Sequence, residues 1–118
     1  MLLPEVKKHY GKLKFLIGGE WVDSNSTRIE PDPNPATGET IAETPQATPE
    51  EAMAAVEAAH AAFQTWKNMP MRERAYMLFT MHNKFRENTD MLCRVLVQDH
   101  GRTIDEAKGT LARVLENI

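Results

Sequence analysis

The stretch "RIEPDPNPATGETIAETP", residues 28–45, divides the chain into its two kinds of structure. Pro31, Pro33 and Pro35 alternate with single residues, and each proline removes a backbone donor and turns the residue before it toward extended geometry. Such a segment runs along a surface or a sheet edge and does not enter the interior of a ladder. Ala36-Thr37-Gly38-Glu39 then supplies a glycine for a tight reversal, and Thr40-Ile41-Ala42-Glu43-Thr44 alternates as a half-buried strand does.

Toward the N-terminus, "KFLIGGEWVD" (14–23) sets Gly18-Gly19 between Phe15-Leu16-Ile17 and Trp21-Val22. Paired glycines between apolar residues predict a two-residue hairpin, because both turn positions can take positive φ. Ser24-Asn25-Ser26-Thr27 reads as a polar loop, and Arg28-Ile29-Glu30 as the resumption of a strand.

Toward the C-terminus the period changes from two to 3.6. Thr48, Pro49 and Glu51 form a complete helix start: N-cap, proline at the first helical position, and the acid of a capping box. Ala52, Val56, Ala59, Phe63 and Trp66 follow on one face, and Met69-Pro70 ends the helix. A second helix from about Met71 to near Asn88 carries Ala75, Leu78, Phe79, His82 and Phe85 or Arg86 on one side. A third begins at Thr89-Asp90 with Met91, Leu92, Val95 and Leu96 inside, and stops at Gly101, a C-cap glycine. Thr103 with Glu106 makes another capping box, and Ala107, Leu111, Val114, Leu115 and Ile118 form the stripe of a fourth helix. The expected class is α+β: a β-hairpin and strand over 15–45, then about four α-helices over 49–118, after a basic arm at 1–14. The last stripe is unbroken at Ile118, from which the chain is expected to be part of something larger.

Composition narrows the function. At 118 residues, 42% hydrophobic and 26% charged, the chain has the make-up of one globular domain, and no apolar run approaches the roughly 18 residues of a membrane helix. No membrane partner is expected. A net charge of −3 argues against a nucleic-acid partner, and a helix-turn-helix in 71–118 lacks the basic excess that role demands. Lys7, Lys8, Lys12 and Lys14 read as a solvated arm. One cysteine, Cys93, forms no internal disulfide and fits a reducing compartment. The location expected is cytoplasmic, or the mitochondrial matrix in a eukaryote.

Few residues carry chemistry. His9, His60, His82 and His100 are far apart and there is no Cys-x-x-Cys, so no metal site is expected. His82 reads as a hydrogen-bonded histidine on an apolar helix side. Cys93, between Leu92 and Arg94 in a packed helix, reads as an inert buried thiol. The glycines match neither a dinucleotide fingerprint nor a P-loop. The acids Glu50-Glu51 and Asp105-Glu106 stand in first helical turns, where the dipole favours them.

"FLIGGEWVDS", "NPATGETIAETP", "AAHAAFQTW" and "QDHGRT", in this order and spacing, resemble the N-terminal part of the aldehyde dehydrogenase superfamily over essentially the whole chain from Phe15 onward. The tail "GRTIDEAKGTLARVLENI" is similar to the methylmalonate-semialdehyde dehydrogenases, with Arg102 standing where lysine is commoner. The resemblance implies part of an α/β NAD-binding region, in which the proline-rich crossing leads from the hairpin into a strand bordering the coenzyme domain. It implies NAD as oxidant and coenzyme A as acyl acceptor in a full-length parent, with neither expected to bind this chain alone.

The family's nucleophilic cysteine, general-base glutamate and Gly-rich turn lie well downstream and have no counterpart here. Cys93 does not match the catalytic motif, so no catalytic residue is expected. Arg113 aligns with an arginine that in the subfamily faces the substrate pocket, where it would hold a substrate carboxylate. Against that stands the reading of a plain solvent-exposed arginine one position before Val114. The leading expectation is an N-terminal fragment of an NAD-dependent, CoA-acylating semialdehyde dehydrogenase, inactive alone, whose partners are the rest of that chain or a homo-oligomer. The alternative is a free-standing helical protein-interaction module derived from the same N-terminus.

Overall fold

Backbone hydrogen bonding over the described residues, 6–118 of a computed structural model, produces four strands followed by four helices. In chain order they are β1 (Phe15–Ile17), β2 (Glu20–Val22), β3 (Ile29–Pro33), β4 (Thr40–Pro45), α1 (Pro49–Trp66), α2 (Met71–Glu87), α3 (Thr89–His100) and α4 (Ile104–Asn117). This is the α+β arrangement read from the sequence. Residues 1–5 of the expected basic arm lie outside the described residues.

The chain forms two compact units. One comprises His9–Asp32 and Thr40–Pro70. Its hairpin pairs Phe15 with Val22, Leu16 with Trp21 and Ile17 with Glu20. Gly18 and Gly19 make the turn at φ 62° and 87°, values that an L side chain rarely adopts. β4 is paired on both sides. β3 lies along one side, tied at its start by Gln46 N–H donating to Arg28 O at 2.9 Å. On the other side a parallel stretch bonds through Tyr10 N to Ile41 O (2.7 Å), Glu43 N to Gly11 O (3.0 Å) and Leu13 N to Glu43 O (2.9 Å).

Backbone pairing at Tyr10, Gly11 and Leu13 and the buried Ile41 and Ala42 make β4 the centre of this unit. β3 extends to Pro33, further than the expected Arg28-Ile29-Glu30. Pro31 and Pro33 are two apart, so their missing donors fall on the same side of an edge strand and cost the ladder nothing.

α1 begins with the capping box read from the sequence: Glu51 N donates to Thr48 Oγ1 (3.2 Å) and Thr48 N to Glu51 Oε2 (2.9 Å). The helix packs against β1, where the Ala58 methyl lies 3.9 Å from where a side chain on Gly18 would begin. The side turned inward is that of Glu51, Ala55 and Ala58. The stripe expected to be buried, Ala52, Val56, Ala59, Phe63 and Trp66, is exposed, with Val56 at 62% and Phe63 at 51% of full exposure. An alanine-rich helix is apolar on several sides at once, and periodicity did not say which side the hairpin covers.

The other unit includes Pro33–Glu39 and Met71–Ile118. Its core is Cys93, Ala107 and Leu111, packed by Phe85, Leu92, Leu96, Val97, Ile104 and Val114 from α2, α3 and α4. The α4 stripe is as read. In α3 the buried residues are Cys93 and Gln98, while Met91, expected inside, is exposed. Leu78 and Phe79 of α2 are exposed as well.

The Asn34–Glu39 reversal closes with Asn34 N on Glu39 O (2.8 Å) and Gly38 N on Asn34 O (2.8 Å). Its Pro35-Ala36 backbone approaches Gly101, where an added Cβ would sit 3.2 Å from Ala36 N and 3.3 Å from Pro35 Cβ. Gly101 caps α3 at φ 64°, so turn and helix end meet at a point that only glycine fits.

Candidate functional site

α4 carries the one residue for which the sequence suggested a binding role. Its helix is set by Thr103, whose hydroxyl accepts from Glu106 N (3.3 Å), while Glu106 Oε2 accepts from Thr103 N (2.9 Å) and from the Thr103 hydroxyl (2.9 Å). Ile104, Ala107, Leu111 and Val114 turn toward the core. Glu106, Thr110, Arg113 and Asn117 follow at spacings of four, three and four, which places them on one outward face beside that buried stripe.

Arg113 is exposed on this face, and its backbone carbonyl accepts from Asn117 Nδ2 at 2.7 Å. Arg102, from the α3–α4 connection, folds back along α4 until Nη1 donates to Thr110 Oγ1 at 3.4 Å. The sequence marked Arg102 only as a replacement for lysine. Its placement beside Thr110 depends on the path of the connection, which no local motif encodes.

The electrostatics of the face follow from its cap. Thr103 backbone N–H, then the Thr103 hydroxyl and the Arg102 charge, hold the Glu106 carboxyl below the ordinary glutamate value. On the same helix Lys108 lies 3.9 Å from Asp105. Among the described residues neither Arg102 nor Arg113 has a salt-bridge partner.

The other candidates are not brought together. Cys93 is a free thiol at 1% exposure inside the apolar core, and His82 is half-buried on α2. His60, exposed on α1, bonds Gln64 at 3.1 Å. Among the described residues no three His, Cys, Asp or Glu side chains gather as metal ligands, and no helix is long and apolar enough to cross a membrane.

A dinucleotide would need a helix N-terminus open to pyrophosphate beside a Gly-rich turn. At α1 and α4 the Thr48–Glu51 and Thr103–Glu106 boxes each occupy one first-turn donor, Glu51 N and Glu106 N, and the positive-φ glycines sit in hairpin, loop and C-cap positions.

Comparison with known proteins gives a consistent set of relatives. The family model described as the aldehyde dehydrogenase family matches residues 21–118. Malonate-semialdehyde dehydrogenase 1 of Geobacillus kaustophilus is 41% identical over 106 residues, covering 90% of this chain and 22% of that protein. Two solved structures superpose closely on it. Methylmalonate-semialdehyde dehydrogenase from Oceanimonas doudoroffii has a TM-score of 0.87 at 34% identity, and a putative methylmalonate-semialdehyde dehydrogenase from Sinorhizobium meliloti, complexed with NAD, has 0.86 at 35%. Each covers 92% of this chain, which spans 22% of theirs. The sequence blocks had pointed to these enzymes.

Proposed function

The chain belongs to the aldehyde dehydrogenase family, and from that premise we propose that residues 15–118 are the N-terminal portion of an NAD-dependent, CoA-acylating semialdehyde dehydrogenase. Its substrate is a short aldehyde bearing a carboxylate, malonate or methylmalonate semialdehyde. The observation that carries the reading is likeness to semialdehyde dehydrogenases along nearly the whole of this chain, against a small share of theirs. Cys93 is enclosed in the apolar core, which supports assigning oxidation and thioester formation to the rest of the enzyme. This portion serves as scaffold, and its partners are the remaining dehydrogenase polypeptide and, through it, further copies of the enzyme.

Within that enzyme Arg113 holds the substrate carboxylate. Its exposed guanidinium, without a salt-bridge partner among the described residues, supports the role, because an arginine fork matches a carboxylate with two parallel hydrogen bonds.

Supplied with malonate semialdehyde, CoA and NAD, the 118-residue chain is expected to produce no NADH. A chimera joining it to the remaining length of the Geobacillus enzyme is expected to produce it. NADH from the short chain alone overturns the division of labour, and a folded but inactive chimera overturns the assignment of the segment. In the active chimera Arg113→Ala should raise KM for malonate semialdehyde roughly tenfold and leave KM for a neutral aldehyde in place. An unchanged KM for the acid removes the role of Arg113.

A further inference from the structure

Among the described residues the lysines are exposed, and so are the arginines apart from Arg74 and Arg94, which are half-buried. Arg94 of α3 is matched, its Nε donating to Asp90 Oδ2 at 2.8 Å. Arg74 of α2 is not. Its Nε is shut off from solvent and has no hydrogen-bond partner among the described residues, and no ion pair there reaches its guanidinium. A shielded guanidinium is costly unless a carboxylate meets it.

The sequence of α2 explains why no neighbour on the helix supplies one. Met71 stands one turn before Arg74, and Met77 and Leu78 one turn after, while Glu73 is exposed about 100° round the helix. Among the described residues α3 and α4, which pack on α2, bring it no acid either. Met71, Met77, Leu78 and, a further turn on, Met81 are all exposed, so Arg74 belongs to an open and otherwise apolar stripe. Methionine and arginine together are the make-up of an interface centre, where adaptable apolar side chains exclude water from a charged pair.

We propose that Arg74 is a docking anchor. The polypeptide that relatives of this chain carry beyond the matched span lays an apolar surface on the α2 stripe and brings one aspartate or glutamate carboxylate to Arg74. The inference rests on the reading of this chain as the N-terminal portion of a longer enzyme, and deepens it from a partner known by continuity to a contact of stated chemistry. The shared span is 22% of the matched structures, so the occupant comes in the same polypeptide. Its charge is fixed by Arg74, whose planar fork of donors suits a carboxylate, and its apolar surround by the methionines.

The test places Arg74→Met, close to arginine in length and apolar, in two settings: the 118-residue chain and the chimera with the remaining length of the Geobacillus enzyme. In the short chain the substitution removes a shielded charge that has no partner, so the urea midpoint is expected to stay or rise. In the chimera it removes one half of an ion pair, so the thermal midpoint is expected to fall by about 3 °C, with a smaller fall for Arg74→Lys. A short chain destabilised as much as the chimera means that its own residues supply the partner, and overturns the proposal. So does a chimera whose midpoint Arg74→Met leaves unmoved. A 118-residue chain that sediments as a dimer, and loses the dimer on Arg74→Met, seats a second copy on the stripe and overturns it too. NADH production by the unsubstituted chimera reports separately on the dehydrogenase reading, since a folded but inactive chimera counts against that reading and leaves the midpoint comparison valid.

Discussion

At Gly101 two demands meet on one residue. Its φ of 64° lies in the left-handed region, and the Pro35-Ala36 backbone closes over the place where a side chain would begin. Gly101→Ala is therefore expected to lower stability by about 2 kcal/mol, read as a lower urea midpoint with an unchanged slope. Glu51 shows what a sequence motif leaves unsaid. Besides capping α1, it accepts from the Ser24 hydroxyl (2.9 Å) and from Asn25 N (2.7 Å), tying the β2–β3 loop to the helix start. The Thr48 backbone bond, the Asn25 bond, the Ser24 hydroxyl and the Lys12 charge hold its carboxyl below the ordinary value of 4.5. A depressed carboxyl contributes stability that is present above the unfolded value and lost as pH falls through the folded one. The urea midpoint should accordingly fall as pH is lowered below about 5, and Glu51→Gln should be less stable at neutral pH but converge with the parent in acid. Parallel curves for the two proteins would remove Glu51 as the latch.

At the scale of elements, burial and period part company. α4 and α1 both carry apolar stripes at helical spacing, yet Leu111 on α4 is enclosed and Phe63 on α1 is open. Leu111→Ala is expected to cost about 2–5 kcal/mol through lost burial and a residual cavity, and Phe63→Ala well under 1 kcal/mol in this chain, by urea or thermal unfolding. A large effect at Phe63 would mean that something covers α1 in solution. A shallow apolar groove there, lined by Ala59, Ala62, Phe63, Thr65, Trp66 and Met69, has the character of a surface that a larger protein covers.

For the whole molecule, stability is distributed unevenly. The unit containing α2, α3 and α4 has a contiguous apolar core, whereas in the unit containing the hairpin and α1 the buried apolar side chains are, among the described residues, Ile41 and Ala42. Both tryptophans, Trp21 and Trp66, belong to the latter unit. Tryptophan fluorescence should therefore lose its native signal at a lower urea concentration than the helical circular dichroism, to which α2, α3 and α4 all contribute. Coincident transitions would show one cooperative unit instead.

Local chemistry made much of this architecture legible. Gly18-Gly19 fixed the hairpin, Thr48-Pro49-Glu51 and Thr103-Glu106 fixed two helix starts, and Gly101 fixed a helix end, because each acts through neighbours within a turn of chain. The burial of Cys93 was likewise a matter of helix phase. What the sequence did not determine depends on residues far apart. Glu51 reaching Ser24, Pro35 closing over Gly101, Arg102 lying along Thr110 and the open side of α1 arise from contacts across 8 to 66 positions. Their energies are set by which surfaces meet, and that is decided only when the elements pack.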